Sequence, residues 1–277
     1  MANTFEYDEK ESRKTERSYL APEVVRQRMR TLEALSARAG ERIVDVGCGP
    51  GLLVRDLAVE VGPEGRVIGV DSSLPMLELA ERRCADLPQA EFIEGNAEIL
   101  PGDNATFDAA TCTQVLLYIA NIDKALEEIH RVLKPGGRIA IIETDWRGAV
   151  LNTTDAALTG KMFAAWDQTV PSPNLPVRLG PLLRQHGFTA VRVEAIPILS
   201  TSYLAEGWSV VMLNQFARLA RESGMVSEAE CQKWLDELER SSKEDAYFFC
   251  VNRFLFSAVK KVREVRPLGE DVRPGAL

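Results

Sequence analysis

An apolar run that ends in a glycine-rich turn places the strongest constraint on this chain. Residues 43–46, Ile-Val-Asp-Val, have a composition typical of a strand buried on both faces. Glycines follow at alternate positions, namely Gly47, Gly49 and Gly51. Because glycine adopts positive φ and lets a ligand approach the backbone, the turn predicts a binding loop. Residues 52–58 then show helical spacing, and a strand, a glycine turn and a helix are typical of nucleotide sites in α/β folds.

Further apolar strands alternate with helical segments along the chain. We predict strands at residues 66–70, 90–94, 107–112, 138–143, 191–196 and 247–259. The short connections between these strands and the intervening helices favour a parallel sheet with helices on both faces.

Composition and periodicity divide the chain into five predicted segments. They are an N-terminal arm and lid helix (1–39), an α/β core (40–146), a helical segment with a sixth strand (147–200), cap helices (201–245), and a last strand with its tail (246–277). The cap helices are expected near 203–222 and 227–241, and the second opens with the capping-box pattern Ser227-x-x-Glu230. A helical insertion ahead of the last strand predicts a cap over the ligand face.

Charge and composition narrow the range of partners. The net charge is −8, the isoelectric point is near 5.1, and no basic run is present, which argues against nucleic acid. The polar first ten residues and the lack of a long apolar run predict neither a signal peptide nor a membrane span. Five scattered cysteines without a CxxC pair favour a reduced, cytoplasmic protein, and two histidines argue against a His-rich metal site.

Two classes of ligand compete for the glycine turn. A dinucleotide site expects the spacing GxGxxG, whose third glycine falls here on Leu52. Leucine at that position obstructs the close packing of helix on strand, so NAD or FAD fits poorly. The pattern Asp45-x-Gly47-x-Gly49-x-Gly51 instead resembles the signature of class I S-adenosylmethionine (SAM)-dependent methyltransferases.

Three more motifs carry this resemblance, in the family's order, within about residues 40–146. Residues 71–77 resemble the family's second-strand end, 95–101 its adenine-edge loop and 131–138 its turn before the fifth strand. The closest branch is the small-molecule methyltransferases of quinone and natural-product (secondary-metabolite) biosynthesis. The resemblance implies SAM as cofactor and a Rossmann-like sheet of seven mostly parallel strands with an antiparallel last strand.

The same resemblance implies a set of cofactor-binding residues. They are Asp45, Gly47, Cys48, Gly49, Gly51, Asp71, Ser72, Met76, Asn96, Ala97, Gln114 and, from the arm, Tyr19. In this scheme the three glycines line the methionine moiety with backbone, and Asp71 accepts hydrogen bonds from the ribose hydroxyls. The family usually has Asp where this chain has Asn96, so the adenine contact loses a charge but keeps a carbonyl acceptor.

The acceptor half of the site is predicted mainly from aromatic residues. Its candidate residues are Tyr118, Trp146, Trp166, Tyr203, Trp208 and Met212, for which plain hydrophobic core is the alternative. Asp145 directly follows the fifth strand and is either a catalytic base or the N-cap of the next helix. His130 and His186 are expected at helix ends, so Asp145 or the acceptor itself must supply the activation.

The predicted function is transfer of a methyl group to a carbon, oxygen or nitrogen nucleophile of a small, largely apolar acceptor. A protein or RNA methyltransferase, a dehydrogenase and a noncatalytic SAM-binding protein are the alternatives. A homodimer or a higher homo-oligomer is also open, with the arm and the long last strand as the two candidate surfaces.

Overall fold

The computed structural model describes residues 9–262 and is built on one sheet of eight strands. The strands are β1 (Arg42–Val46), β2 (Arg66–Asp71), β3 (Ala90–Glu94), β4 (Phe107–Thr113), β5 (Leu133–Thr144), β6 (Val150–Leu151), β7 (Phe188–Ser200) and β8 (Phe249–Lys260). Strands β3, β2, β1, β4 and β5 lie side by side in that order and run parallel. Strand β8 follows β5 and is antiparallel to both β5 and β7.

Helices cover both faces of this sheet. They are α1 (Glu9–Ser18), α2 (Pro22–Leu35), α3 (Leu52–Val61), α4 (Leu74–Arg83), α5 (Ile122–Val132), α6 (Ala156–Asp167), α7 (Pro176–Gln185), α8 (Trp208–Glu222) and α9 (Glu228–Lys243). Helices α2, α3 and α4 bury apolar side chains against one face, and α5 and α7 do so against the other. Among the described helices, none is long and apolar enough to cross a membrane.

The predicted Rossmann-like fold is confirmed, with one more strand than expected. Residues 147–187 were expected to be helical, but Val150 and Leu151 form β6, which pairs with Cys250 and Phe249 of β8. Strand β7 occupies the other side of β8 at those positions, so β6 lies on the β5 side. The chain leaves the sheet after β5, makes one turn of 3-10 helix, and rejoins the same edge of β8.

The last strand lies inside the described sheet rather than at its edge, so edge-to-edge pairing with a second copy is not supported. Strand β8 is hydrogen-bonded along one side by β5 and β6 and along the other by β7. Its backbone groups are therefore already paired within the chain and are not available to a second copy.

A separate hydrophobic cluster lies beyond the carboxyl ends of the parallel strands, and we call it the cap core. It joins α6, α8 and α9 to the ends of β7 and β8. The predicted capping box at the start of α9 is confirmed: the Ser227 hydroxyl accepts from the Glu230 N–H, and the Glu230 carboxylate accepts from the Ser227 N–H. The cap is thus a packed helical layer that covers the ligand edge of the sheet.

Two carboxyl groups are buried at this edge of the sheet. Asp45 accepts a hydrogen bond from the Thr111 hydroxyl at 2.6 Å, which ties β1 to β4. Glu143 accepts the backbone N–H groups of Val115 and Leu116 at 3.2 and 2.8 Å, which holds the loop after β4. Burial raises the pKa of Asp45 to about 7 and that of Glu143 to about 8, because it disfavours the ionised form.

These raised pKa values predict a protein that loses stability as the pH rises. From about pH 4 up to the folded pKa, the folded chain keeps protons on Asp45 and Glu143 that the unfolded chain has released. The free energy of unfolding should therefore fall from about pH 5 to pH 8, by up to about 1.4 kcal/mol per pH unit for each group. Urea unfolding across this range should show a flatter slope for Asp45→Asn and Glu143→Gln. The exposed Asp236→Asn is the control and should keep the wild-type slope; equal slopes for all variants would contradict the prediction.

Candidate cofactor and acceptor site

The three glycines of the turn after β1 have different structural roles. All three have positive φ, at 70° for Gly47, 51° for Gly49 and 74° for Gly51. A Cβ on Gly47 would lie 2.1 Å from Cγ2 of Val115, and one on Gly51 would lie 2.7 Å from Cβ of Ala80. A Cβ on Gly49 would meet nothing within 4 Å. Gly47 and Gly51 therefore allow tight packing within the protein, and Gly49 borders open space.

Asp71, at the end of β2, faces the same turn. One carboxylate oxygen accepts the Gly49 N–H at 2.8 Å, and the other accepts the Ser73 N–H at 2.9 Å at the start of α4. Ser73 is the N-cap of α4, but its side chain makes no cap hydrogen bond, and the Asp71 carboxylate satisfies the helix terminus instead. Burial raises the pKa of Asp71, and the backbone donors oppose that rise.

The side chains of Cys48 and Met76 are largely hidden from the open space at Gly49. The Cys48 side chain is buried and packs on β2, where a Cβ on Gly69 would lie 2.9 Å from its sulfur. Burial raises the pKa of the Cys48 thiol well above its usual value, so the thiol stays protonated. Met76, in the first turn of α4, is buried. Only the backbone of Cys48 is therefore available to a ligand.

The loop after β3 carries the predicted adenine contacts. Asn96 is exposed, and its side-chain carbonyl accepts the Glu98 N–H at 2.9 Å. Ala97 is buried. Asn96 thus shapes its own loop, a role that an Asp side chain fills equally well because both residues supply the acceptor.

Gln114 lies immediately after β4 in a strained backbone conformation, with φ of 58°. Its N–H donates to the Ile142 carbonyl at 2.8 Å, and its side-chain carbonyl accepts from the Thr144 hydroxyl at 2.7 Å. The next residue, Val115, packs on Gly47. These contacts fix Gln114 at the edge of the sheet beside the glycine turn.

The turn between α1 and α2 brings Tyr19 over this edge. Tyr19 is half-buried and packs against the cap core. Burial raises the pKa of its phenol, the Arg253 charge lowers it and the Asp71 charge raises it. Tyr118 is also half-buried, and Tyr19 acts electrostatically on it. The arm residue and the loop after β4 therefore meet between the cofactor half and the cap.

Asp145 is engaged by a neighbour rather than open. Its carboxylate accepts the Arg147 backbone N–H at 3.1 Å and the Arg147 Nε at 2.8 Å, and its second oxygen pairs with the same guanidinium. Asp145 is the N-cap of the 3-10 turn at Trp146–Gly148. The capping role that the sequence left open is therefore present in the structure.

Three of the predicted acceptor residues are packed within the cap core. Trp146 stacks on Trp208 with ring centroids 5.8 Å apart and an interplanar angle of 13°, and Trp166 meets Trp146 edge-on at 6.1 Å. All three indoles are buried. Tyr203 and Met212 are half-buried and pack against the same cluster. The structure brings these five residues together as one aromatic and apolar layer.

Three polar residues of this region were not predicted from the sequence as part of the site. Glu143, described above, fixes the loop that carries Gln114 and Tyr118. Arg253 of β8 and Gln27 of α2 are buried and hydrogen-bonded to each other through the guanidinium and the side-chain carbonyl. A charged residue beside an apolar run of its strand, Glu143 after Ile139–Ile142 in β5 and Arg253 before Phe254–Phe256 in β8, is the signal that would have found two of them.

Comparison with known sequences relates this chain to methyltransferases. The family model of a methyltransferase domain matches residues 44–141. An uncharacterized transposon protein of Streptomyces fradiae is 36% identical over 209 residues, 75% of this chain and 60% of its own length. The demethylmenaquinone methyltransferase of Symbiobacterium thermophilum is 46% identical over 109 residues, 38% of this chain and 43% of its own. The chain thus spans less than two thirds of these two relatives.

Solved structures share the fold at low sequence identity. The [4+2]-cyclase SpnF is 23% identical with a TM-score of 0.55, and the alignment covers 86% of this chain and 81% of that one. Phosphoethanolamine N-methyltransferase 2 of Haemonchus contortus, solved with SAM, is 19% identical with a TM-score of 0.61, covering 94% of this chain and 59% of that one. These likenesses establish the architecture only.

A longer alignment decides the family. The demethylmenaquinone methyltransferase of Listeria monocytogenes serotype 4a is 33% identical over 187 residues, which are 61% of this chain and 78% of that protein. Identity sustained over most of a relative's length reflects shared descent as well as shared fold, and the chain belongs to the class I SAM-dependent methyltransferases.

Proposed function

We propose that this protein transfers a methyl group from SAM to a carbon, oxygen or nitrogen nucleophile of a small, largely apolar acceptor. The observation that carries the proposal is the open space at Gly49, where a Cβ would meet nothing within 4 Å, directly beside the Asp71 carboxylate. Backbone of positive φ next to a carboxylate, at the carboxyl ends of parallel strands, suits a ligand with an amino-acid end and a ribose. SAM is the cofactor of this family.

The residues present fit that cofactor. The Asp71 oxygens each accept one backbone N–H and have lone pairs left for the ribose hydroxyls. In this proposal Gly47, Gly49 and Gly51 line the methionine moiety, and Asn96 meets the adenine. Gln114, held by Thr144, lies beside the methyl donor. Asp45, Cys48, Ser72, Met76 and Ala97 support these contacts from the positions described above.

Alignment and exclusion of water are the protein's main contributions to the proposed reaction. Bound SAM supplies a methyl group on a sulfonium, which is already electrophilic. Tyr19, Tyr118 and the cap core close the sheet edge, and a rigid, dry enclosure holds a nucleophile in line at a gain of several kcal/mol. Asp145 is ion-paired to Arg147, so its availability as a base requires that this pair open.

The acceptor is proposed to be small and apolar because the layer above the sheet edge is aromatic. In this proposal the layer formed by Tyr118, Trp146, Trp166, Tyr203, Trp208 and Met212 borders the acceptor. Two relatives are demethylmenaquinone methyltransferases, which supports a small-molecule acceptor. The net charge of −8 disfavours an RNA acceptor.

A cytoplasmic location is part of the proposal, since all five cysteines are free and four of them are buried.

Substitution of Gly49 by Ala should weaken cofactor binding with little effect on the fold. The added Cβ fills the open space, and the positive φ costs about 1 kcal/mol of stability. Gly40→Ala is the matched control, because Gly40 also has positive φ and open space but lies at the opposite end of β1. Calorimetric titration with S-adenosylhomocysteine should show a loss of affinity of about tenfold or more for Gly49→Ala alone. Equal affinities in the two variants would remove Gly49 from the site.

Asp71→Ala should lose cofactor affinity by a similar factor and should remain folded. The substitution removes the acceptor for the ribose and the partner of the Gly49 and Ser73 N–H groups, and the lost cap costs about 1 kcal/mol. Calorimetry with S-adenosylhomocysteine and thermal unfolding separate the two effects. Asp236→Ala, an exposed carboxylate on α9, should change neither. Unchanged affinity for Asp71→Ala would exclude Asp71 as a ribose ligand.

Isotopically labelled SAM tests the reaction itself. The protein is incubated with labelled SAM and a panel of phenols, hydroquinones, enols and amines, and the small molecules are then extracted and their masses measured. At least one of them should carry the label. At a SAM concentration near the wild-type Kd, Gly49→Ala should transfer much less label than the wild type, and Gly40→Ala should match the wild type. Cofactor binding without label transfer to any small molecule, but with transfer to protein or RNA, would favour the alternative class of acceptor.

A further inference from the structure

A buried arginine, Arg253, lies where the proposed cofactor and acceptor halves meet. It faces Thr144 in the antiparallel register of β8 and β5, and Thr144 is bonded to Gln114. Its guanidinium carbon is 4.5 Å from the ring centroid of Trp208 in the cap core. One of its terminal nitrogens donates to the side-chain carbonyl of Gln27. Only 4% of Arg253 is exposed to solvent.

The charge of Arg253 has no ionic partner among the described residues. Gln27 is neutral, no carboxylate within residues 9–262 lies at ion-pair distance, and Nε is buried without a hydrogen-bond acceptor in that range. Burial lowers the pKa of Arg253 to about 10, so the group is still a cation at neutral pH. An unpaired buried charge is unfavourable, and natural proteins accept this cost mainly at sites where a ligand completes the pair.

The titratable groups that face Arg253 do not neutralise it. Tyr19 and Tyr118 have pKa values raised by burial, so both phenols are uncharged at neutral pH. Burial raises the pKa of Glu143 to about 8, which leaves this carboxyl mostly protonated. The Glu23 charge of α2 raises the pKa of Arg253 without forming an ion pair with it, and the Glu23 carboxylate accepts a hydrogen bond from the Ser200 hydroxyl at 3.2 Å. Arg253 is therefore a buried cation with no direct ionic partner among the described residues.

We infer that Arg253 is the binding site for an oxyanion of the methyl acceptor, which is a planar compound with an ionised phenol or enol hydroxyl or a carboxylate. This inference rests on the proposed function and names its class of substrate. The guanidinium donates to the oxyanion, Gln27 and Trp208 hold the guanidinium in place, and the acceptor's proton leaves to water as the acceptor binds. The acceptor then arrives already activated, so no base is required of Asp145.

The cofactor also carries a carboxylate, on its methionine end, and it is the rival source of this anion. The acceptor is favoured because the Arg253 guanidinium stacks on Trp208 of the cap core and acts on Tyr118 as well as on Tyr19, so it faces the aromatic layer. The glycine turn, in contrast, borders its open space at Gly49, beside Asp71.

The experiment reads the ionisation of a coloured phenol on the protein. The probe is 4-nitrophenol, whose phenolate absorbs visible light, added to wild-type protein with and without S-adenosylhomocysteine. At a fixed pH below the probe's own pKa, bound probe should show a phenolate-to-phenol ratio about tenfold or more above that of free probe. Arg253→Gln and Arg253→Met should remove this increase, and Arg253→Lys should keep part of it. Arg192→Gln, an exposed arginine on β7, should match the wild type.

Two results overturn the inference. The first is that the wild-type protein binds 4-nitrophenol no better than nitrobenzene, or leaves the phenolate-to-phenol ratio of the probe unchanged. This measurement does not depend on the folding of any variant. The other comes from calorimetry with S-adenosylhomocysteine and with 5′-methylthioadenosine, which lacks the amino-acid end. If Arg253→Gln weakens only the former, the anion is the cofactor's carboxylate. Failure of the wild type to bind S-adenosylhomocysteine would contradict the proposed function instead, and the probe measured without it still tests Arg253.

Discussion

The close approach of two loops at the carboxyl ends of β1 and β4 is the constraint on which the site depends. Val115 can pack on the backbone of Gly47 only because no Cβ stands between them, and Ala80 approaches Gly51 for the same reason. Both contacts require glycines with positive φ, which any side chain would strain. The glycine pattern is therefore first a packing requirement, and it leaves Gly49 alone bordering open space.

A second layer of interactions holds these loops from below. Asp71 links the turn to the start of α4, and Glu143 accepts two N–H groups from the loop after β4. Both carboxyl groups replace the water that would otherwise satisfy these backbone donors. Ligand position and fold stability are consequently coupled at this edge, because the same side chains serve both.

The sheet and the cofactor half were predictable because their signals are local. The glycine spacing, the strand compositions and the capping box at Ser227 each depend on neighbouring residues, and the structure confirms the fold they predict. Strand β6 was missed because two residues carry no periodicity, and its pairing to Cys250 is a tertiary contact. Arg253 and Gln27 were missed because their meeting joins the second helix to the last strand.

The cap shows why an aromatic residue is a poor guide to its own role. The local sequence around Trp146, Trp166 and Trp208 does not distinguish a tryptophan that lines a pocket from one that fills a core. In this structure the three indoles are buried and pack on one another. An unsatisfied polar group beside an aromatic layer is a better indication of a ligand wall, because such groups are rare in protein interiors and each calls for an explanation. Of the described groups near these indoles, the buried guanidinium of Arg253 meets that criterion most clearly, since its charge is without an ionic partner. The polar exception within the apolar layer thus says more about the acceptor than the layer itself.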